Sequence, residues 1–118
     1  TNLLYVSRAL EAAEELAKEG ISAEVIDPRT LVPFDYDTVT ESVKKTGRLV
    51  VVHEAHQNCG WGAQVVAEVS KRAFRYLDAA PIHLGAKPCP LPFNPGLEAA
   101  VIPSVKDIVD ACKATMYR

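Results

Sequence analysis

Short apolar runs and helical stripes take turns along the chain. Leu3-Leu4-Tyr5-Val6 is a continuous apolar run and predicts a buried strand. Ser7 stands where it would cap the helix that follows. In that helix Ala9, Leu10, Ala13, Leu16 and Ala17 recur at helical spacing, with Glu14, Glu15 and Lys18 on the other side, and Gly20 ends it. Ile21 to Asp27 predicts a second strand, stopped by Asp27-Pro28. Asp35 caps a second helix with Val39 and Val43 on one face, and Gly47 closes it. Leu49-Val50-Val51-Val52 is the strongest strand signal, and its unbroken apolar character argues for burial on both faces. Ala63, Val66, Ala67, Ser70, Phe74 and Leu77 form a third helical stripe. Pro81 to Gly85 is the fourth predicted strand. A proline-rich loop with one helical turn fills positions 86 to 103. Ser104 to Asp107 reads as a capping box. It opens a last helix with Val105, Ile108, Val109, Cys112 and Met116 on one face.

The alternation of strand and helix implies an α/β fold, with a mainly parallel sheet between two helical layers. Right-handed crossovers leave few topologies, and the expected strand order is 2-1-3-4. Residues 1–118 read as a single domain, and the opening Thr1 suggests a fragment of a longer subunit.

Composition narrows the function classes. The net charge of −2 offers no basic face for nucleic acid or a membrane surface. No apolar run approaches the ~20 residues of a membrane helix. Three cysteines without a CxxC pair suggest reduced thiols in an intracellular compartment.

The stretch HEAHQNCGWGAQ, His53 to Gln64, gathers most of the candidate chemistry. His53 and His56 have a spacing that suits metal ligands on a helix, but here they leave a strand and enter a turn. Zinc normally takes three or four protein ligands, and His83 stands alone in the sequence, so no metal site is expected. Cys59 before a helix could be an activated thiol with His53 or His56 as base, or simply a small residue in a tight turn. Gly60-Trp61-Gly62 lacks the third glycine of a dinucleotide fingerprint and the lysine of a P-loop. The plainer expectation is that these glycines let the helix approach its neighbours, with Trp61 anchoring the turn. In the 2-1-3-4 order, His53, Glu54 and Ser7 lie at the strand ends where open α/β sheets bind ligands.

Three segments resemble one family in order along the chain. They are AEVIDPRTLVPFDYDTV, LVVVHEAHQNCGWGAQVVAEV and PCPLPFNPGLEAAVIPSVKDIVDA. They are similar to the transketolase C-terminal domain as found in E1 β subunits of pyruvate, branched-chain 2-oxoacid and acetoin dehydrogenases. Two departures are visible: Gln64 stands where the family usually has glutamate, and the turn after the first predicted strand is short. The resemblance implies a non-catalytic assembly domain of an oxidoreductase that uses thiamine diphosphate and magnesium, both held by other domains. Implied partners are the E1 α subunit, a second β subunit and the subunit-binding domain of the E2 transacylase. Implied compartments are the bacterial cytoplasm or the mitochondrial matrix. No catalytic, cofactor-binding or metal residue carries over. The candidate interface residues are His53, Glu54, His56, Trp61, Leu91 and Phe93. The alternatives are the equivalent domain of a transketolase or deoxyxylulose-phosphate synthase, and a free-standing ligand-binding α/β domain.

Overall fold

Among the described residues the sheet has two strands, and helices pack on its two faces. The structure, a computed structural model, describes residues 1–117. In chain order the elements are α1 (Leu4–Lys18), α2 (Tyr36–Thr46), β1 (Val50–His56), α3 (Trp61–Ala73), a short 3-10 turn (Phe74–Tyr76), β2 (Ile82–Ala86), α4 (Pro95–Val101) and α5 (Val105–Thr115). β1 and β2 pair in parallel, with Val50 opposite Ile82, Val51 opposite His83 and Val52 opposite Leu84.

Alternate residues of β1 serve opposite helical layers. Val52 faces α1 and α5, where Tyr5, Ala12, Leu16, Ile21, Ile108 and Val109 form one core cluster. Val51 faces α2 and α3, where Val39, Val43, Val65, Val69 and Ala73 form the other. The expected three layers are present.

The expected order 2-1-3-4 is not confirmed: the third and fourth predicted strands are β1 and β2, and the first two do not form among the described residues. Leu3 to Val6 belongs to the start of α1. The reason is periodicity. Tyr5, Ala9, Ala12 and Leu16 are the buried residues of α1, and their spacing continues one helical stripe back through the apolar run. Ser7 is therefore an interior helical residue, bonded back to the Leu4 carbonyl, and not a cap. Residues 21–27 join no ladder among the described residues. A strand exists through its hydrogen-bonding neighbour, and this segment has none.

Other local expectations hold. Asp35 caps α2 by accepting from the Thr38 amide, and Gly47 closes it at φ 72°. Ser104 and Asp107 form the full capping box of α5. The face of α3 is displaced by one position: Gly62, Val65, Val69 and Ala73 are buried, while Phe74 is exposed.

Tyr5 ties the two ends of the chain together. Its hydroxyl donates to the Pro103 carbonyl at 2.9 Å, and Arg8 Nη1 donates to the same carbonyl at 2.8 Å. Because Arg8 keeps that carbonyl satisfied, Tyr5→Phe should cost only about 0.5–1.5 kcal/mol, read as a lower urea midpoint at unchanged slope. A larger loss would show that the hydroxyl holds more than this contact.

Candidate functional site: a buried histidine pair at the strand ends

The HEAH residues continue the strand and do not turn away from it. The register slips after Val52, and pairing resumes at His56 opposite Ala86. Three residues of β1, His53 to Ala55, thus stand against Gly85 alone, which is a bulge. Gly85 makes the bulge possible, since a Cβ there would lie 2.8 Å from the Ala55 carbonyl and from the Gln57 backbone. Beyond the bulge, the Gln57 amide donates to the Ala86 carbonyl at 2.9 Å and its side chain to the His83 carbonyl at 3.0 Å.

Period-two alternation puts His53 on the same face as Val51, toward α3, where it is 1% exposed. Its Nδ1 lies 3.1 Å from the Ala55 carbonyl, which only accepts, so Nδ1 carries the proton. Nε2 is then bare and accepts from Nε2 of His83 at 2.7 Å. His83 is not isolated, as its place in the sequence suggested. β2 runs beside β1 and delivers it to His53, and a search for chemistry across neighbouring predicted strands would have paired them. Both imidazoles are held below their ordinary pKa. For His53 the main cause is burial and the second is the other imidazole; for His83 it is burial.

Glycines fit the next helix onto this pair. A Cβ on Gly60 would lie 2.4 Å from the His56 carbonyl and 2.6 Å from His53 Cε1. A Cβ on Gly62 would lie 2.6 Å from His83 Nε2 and 2.9 Å from His53 Cδ2. Trp61 between them packs its ring 5.0 Å from that of His53 and 6.2 Å from Phe34, at the edge of the α2–α3 core. The glycines thus serve close approach, and the tryptophan anchors the turn.

This arrangement is suited to holding structure. Both ring nitrogens of His53 are engaged, so it is not a free base for Cys59, which is exposed in a left-handed turn at φ 59°. His56 points the other way, with Nε2 at 3.1 Å from the Cys89 carbonyl of the proline-rich loop. Among the described residues no three His, Cys, Asp or Glu side chains converge as a metal site would require.

The candidate interface residues divide by exposure. His53 is buried and Trp61 half-buried, while Glu54 and His56 are exposed. Leu91 and Leu97 are each 60% exposed, and Phe93 is fully exposed. The loop that carries Leu91 and Phe93 is tied at its ends. The Lys87 amide donates to the Val101 carbonyl at 3.0 Å, and Lys87 Nζ to the Ala100 carbonyl at 2.8 Å. Asn94 caps α4 through the Gly96 and Leu97 amides.

Comparison with known proteins agrees with this architecture. The chain is 52% identical over 114 residues to the acetoin:2,6-dichlorophenolindophenol oxidoreductase subunit beta of Cupriavidus necator, covering 96% of this chain and 33% of that protein. It is 44% identical over 110 residues to the pyruvate dehydrogenase E1 component subunit beta of Rhizobium meliloti, covering 93% of this chain and 24% of that one. A mitochondrial pyruvate dehydrogenase E1 component subunit beta of Pisum sativum is 46% identical over 113 residues, covering 96% and 32%. The chain thus spans about a third or less of the length of these relatives. Among solved structures, a split-gene transketolase described as an inactive β4 tetramer superposes with a TM-score of 0.83 at 28% identity, over 98% of this chain and 37% of that one. Residues 4–108 match the family described as transketolase, C-terminal domain, and the chain belongs to that family.

Proposed function

We propose that this chain is the C-terminal domain of a 2-oxoacid dehydrogenase E1 β subunit, and that its work is assembly and not chemistry. The observation that carries the reading is the exposed apolar set Leu91, Phe93 and Leu97 on a loop fixed by its own hydrogen bonds. Large apolar side chains held in water on an ordered surface mark an interaction site. Exposed His56 reaches this loop at the Cys89 carbonyl, and Glu54 is exposed on the same strand, while His53 and Trp61 pack on the α2–α3 side. The partners in this reading are the E1 α subunit, a second β subunit and the subunit-binding domain of the E2 transacylase. The identities of 44–52% to E1 and acetoin β subunits, against 28% to a transketolase, favour this assignment over another thiamine enzyme. The compartment follows the relatives, in bacteria or in mitochondria.

The complete enzyme in this reading uses thiamine diphosphate and magnesium. The residues here do not fit that group. The strand-end crevice is filled by the His53–His83 pair and Trp61, and no set of oxygen ligands converges there. In this reading the cofactor is held by other domains of the enzyme.

Sedimentation across a concentration series tests the assembly role. The domain should pair with itself through the loop, in the two-fold arrangement commonest among oligomers. Phe93→Ser and Leu91→Ser should weaken pairing by about tenfold or more each, as centrally placed apolar contacts do, while leaving the thermal midpoint unchanged. A wild-type chain that stays monomeric at the highest concentration would sink the claim that this surface drives association.

A further inference from the structure

The bond between His53 and His83 runs from one ring nitrogen to another, which limits the protons the pair can hold. In the neutral pair Nδ1 of His53 keeps its proton for the Ala55 carbonyl, and Nε2 of His83 keeps its proton for Nε2 of His53. One more proton has a place. Nδ1 of half-buried His83 makes no hydrogen bond among the described residues, and a proton there leaves the bond between the rings intact. A second added proton has to take Nε2 of His53, the acceptor of that bond. Two charged rings would then face each other N–H to N–H at 2.7 Å, and repulsion would replace attraction. The surroundings give the charge no counter-ion. From β1, Glu54 is exposed on the Tyr5 side of the sheet, and His56 is turned to the Cys89 carbonyl. β2 contributes His83, and Lys87 after it is turned to the Ala100 carbonyl. Cys59 in the turn is exposed. On α3, Glu68 is paired with Lys71, and the free amides of the first turn present the positive end of the helix. From the α2 side Phe34 meets Trp61, Tyr36 lies under Arg72, and Arg72 is paired with Asp37. Burial, the other imidazole and, least of all, the Thr1 amine oppose a charge on His53, while burial opposes one on His83.

We propose that the pair is a proton-operated latch: it seats the first turn of α3 while neutral or singly charged, and on its second added proton it frees that turn and, through His56, loosens the proline-rich loop, with the rest of the fold in place. The path is one of direct contacts. A Cβ on Gly62 would lie 2.6 Å from His83 Nε2, and one on Gly60 would lie 2.6 Å from His53 Cε1, so the start of α3 rests on both rings. Whether His83 presses on this turn or withdraws from beneath it, the turn loses its seat. Gly60 also lies against the His56 carbonyl, where a Cβ would be 2.4 Å away. His56 Nε2 in turn holds the Cys89 carbonyl at 3.1 Å, in the loop that carries Leu91 and Phe93. Protonation of His56 itself leaves that bond in place, because both nitrogens of a charged ring are donors. α5 lies outside the path, since it packs with α1 on the Val52 face of the sheet.

NMR of the chain between pH 7.5 and 4.5 tests this, with the imidazole nitrogens and the backbone amides followed together. The pair should titrate in two separate steps, as coupled groups do. At the second step, protection of the Ala63 to Val66 amides should fall by about tenfold or more relative to Ile108 to Ala111, and the Leu91 and Phe93 amides should shift, while far-ultraviolet circular dichroism stays constant. In His83→Gln the side-chain amide can still donate to His53 without a second titrating ring, so the selective loss should disappear. Should that variant not fold, the steps and amides of the wild type decide alone. Protection of α3 that persists to pH 4.5 would overturn the latch, and so would loss of protection in α3 and α5 together. A selective loss that remains in His83→Gln would overturn it as well. Opening of α3 with Leu91 and Phe93 unmoved would overturn the link to the loop, as would a loop shift that survives in His83→Gln and so belongs to His56.

Discussion

Gly62→Ala should destabilise the domain by about 1–3 kcal/mol, although the same exchange in an exposed helix interior stabilises by about 1 kcal/mol. Gly62 lies in the first turn of α3, and propensity alone predicts a gain. Packing reverses the sign. The new methyl would sit 2.6 Å from His83 Nε2 and 2.7 Å from its Cδ2. His83 would have to swing away, which breaks its 2.7 Å bond to His53. His53 Nε2 would then be a buried acceptor without a donor, a loss of about 1–3 kcal/mol by itself. Gly60→Ala meets a harder obstacle, since its methyl would lie 2.4 Å from the His56 carbonyl, which is backbone and cannot rotate aside. Urea unfolding at neutral pH reads both. A midpoint that rises in Gly62→Ala would mean that α3 can slide off the imidazoles without penalty, and that the pair does not fix the helix.

Acid should weaken the fold in a window set by the same pair. Both imidazoles have folded pKa values below the ordinary value near 6.5, chiefly because burial disfavours the charged ring. Above that value neither state binds the proton, and this stabilising contribution is fully present. Below it the unfolded chain takes up protons that the native pair refuses, so stability falls as pH drops from about 6.5 towards the folded pKa values. One refused proton corresponds to about 1.4 kcal/mol per pH unit across that window. His83 is only partly buried and contributes less than His53. Asp107, lowered by its bonds to Ser104, acts in the same direction, but only as pH falls below the ordinary carboxylate range near 4. Thermal midpoints between pH 7.5 and 5 in the wild type and in His53→Gln and His83→Gln separate the sources. An unchanged slope in both variants would remove the pair as the cause.

Helix ends and the strongest strand were legible because they depend on neighbours in sequence. Asp35, Gly47 and the Ser104–Asp107 box act over three or four residues, and each is found where its pattern places it. Val51 and Val52 are buried on opposite faces, as an unbroken apolar run requires. The first two strands failed for a different reason. Leu3 to Val6 satisfies a strand and a helix pattern alike, and the stripe through Tyr5, Ala9, Ala12 and Leu16 decides for the helix. Ile21 to Asp27 has a strand-like pattern, but no neighbouring edge lies against it. The histidine pair was half visible. His53 sat in a conspicuous motif, whereas His83 gains its meaning from the parallel pairing of β2 with β1, which sets it opposite Val51 on the face that His53 shares.

The helices at the two ends of the sequence are packed on each other, with the Tyr5 hydroxyl on the Pro103 carbonyl and Lys113 Nζ on Glu19 at 2.6 Å. On the ribosome, α1 emerges well before the surface that covers it is made. At about 5–20 residues per second, α1 waits for roughly 5–20 s with Tyr5 and Leu16 uncovered before α5 is available. The α2–α3 face draws only on residues between Val39 and Ala73 and can close meanwhile. Synthesis therefore passes through a half-built molecule, one layer packed and the other bare.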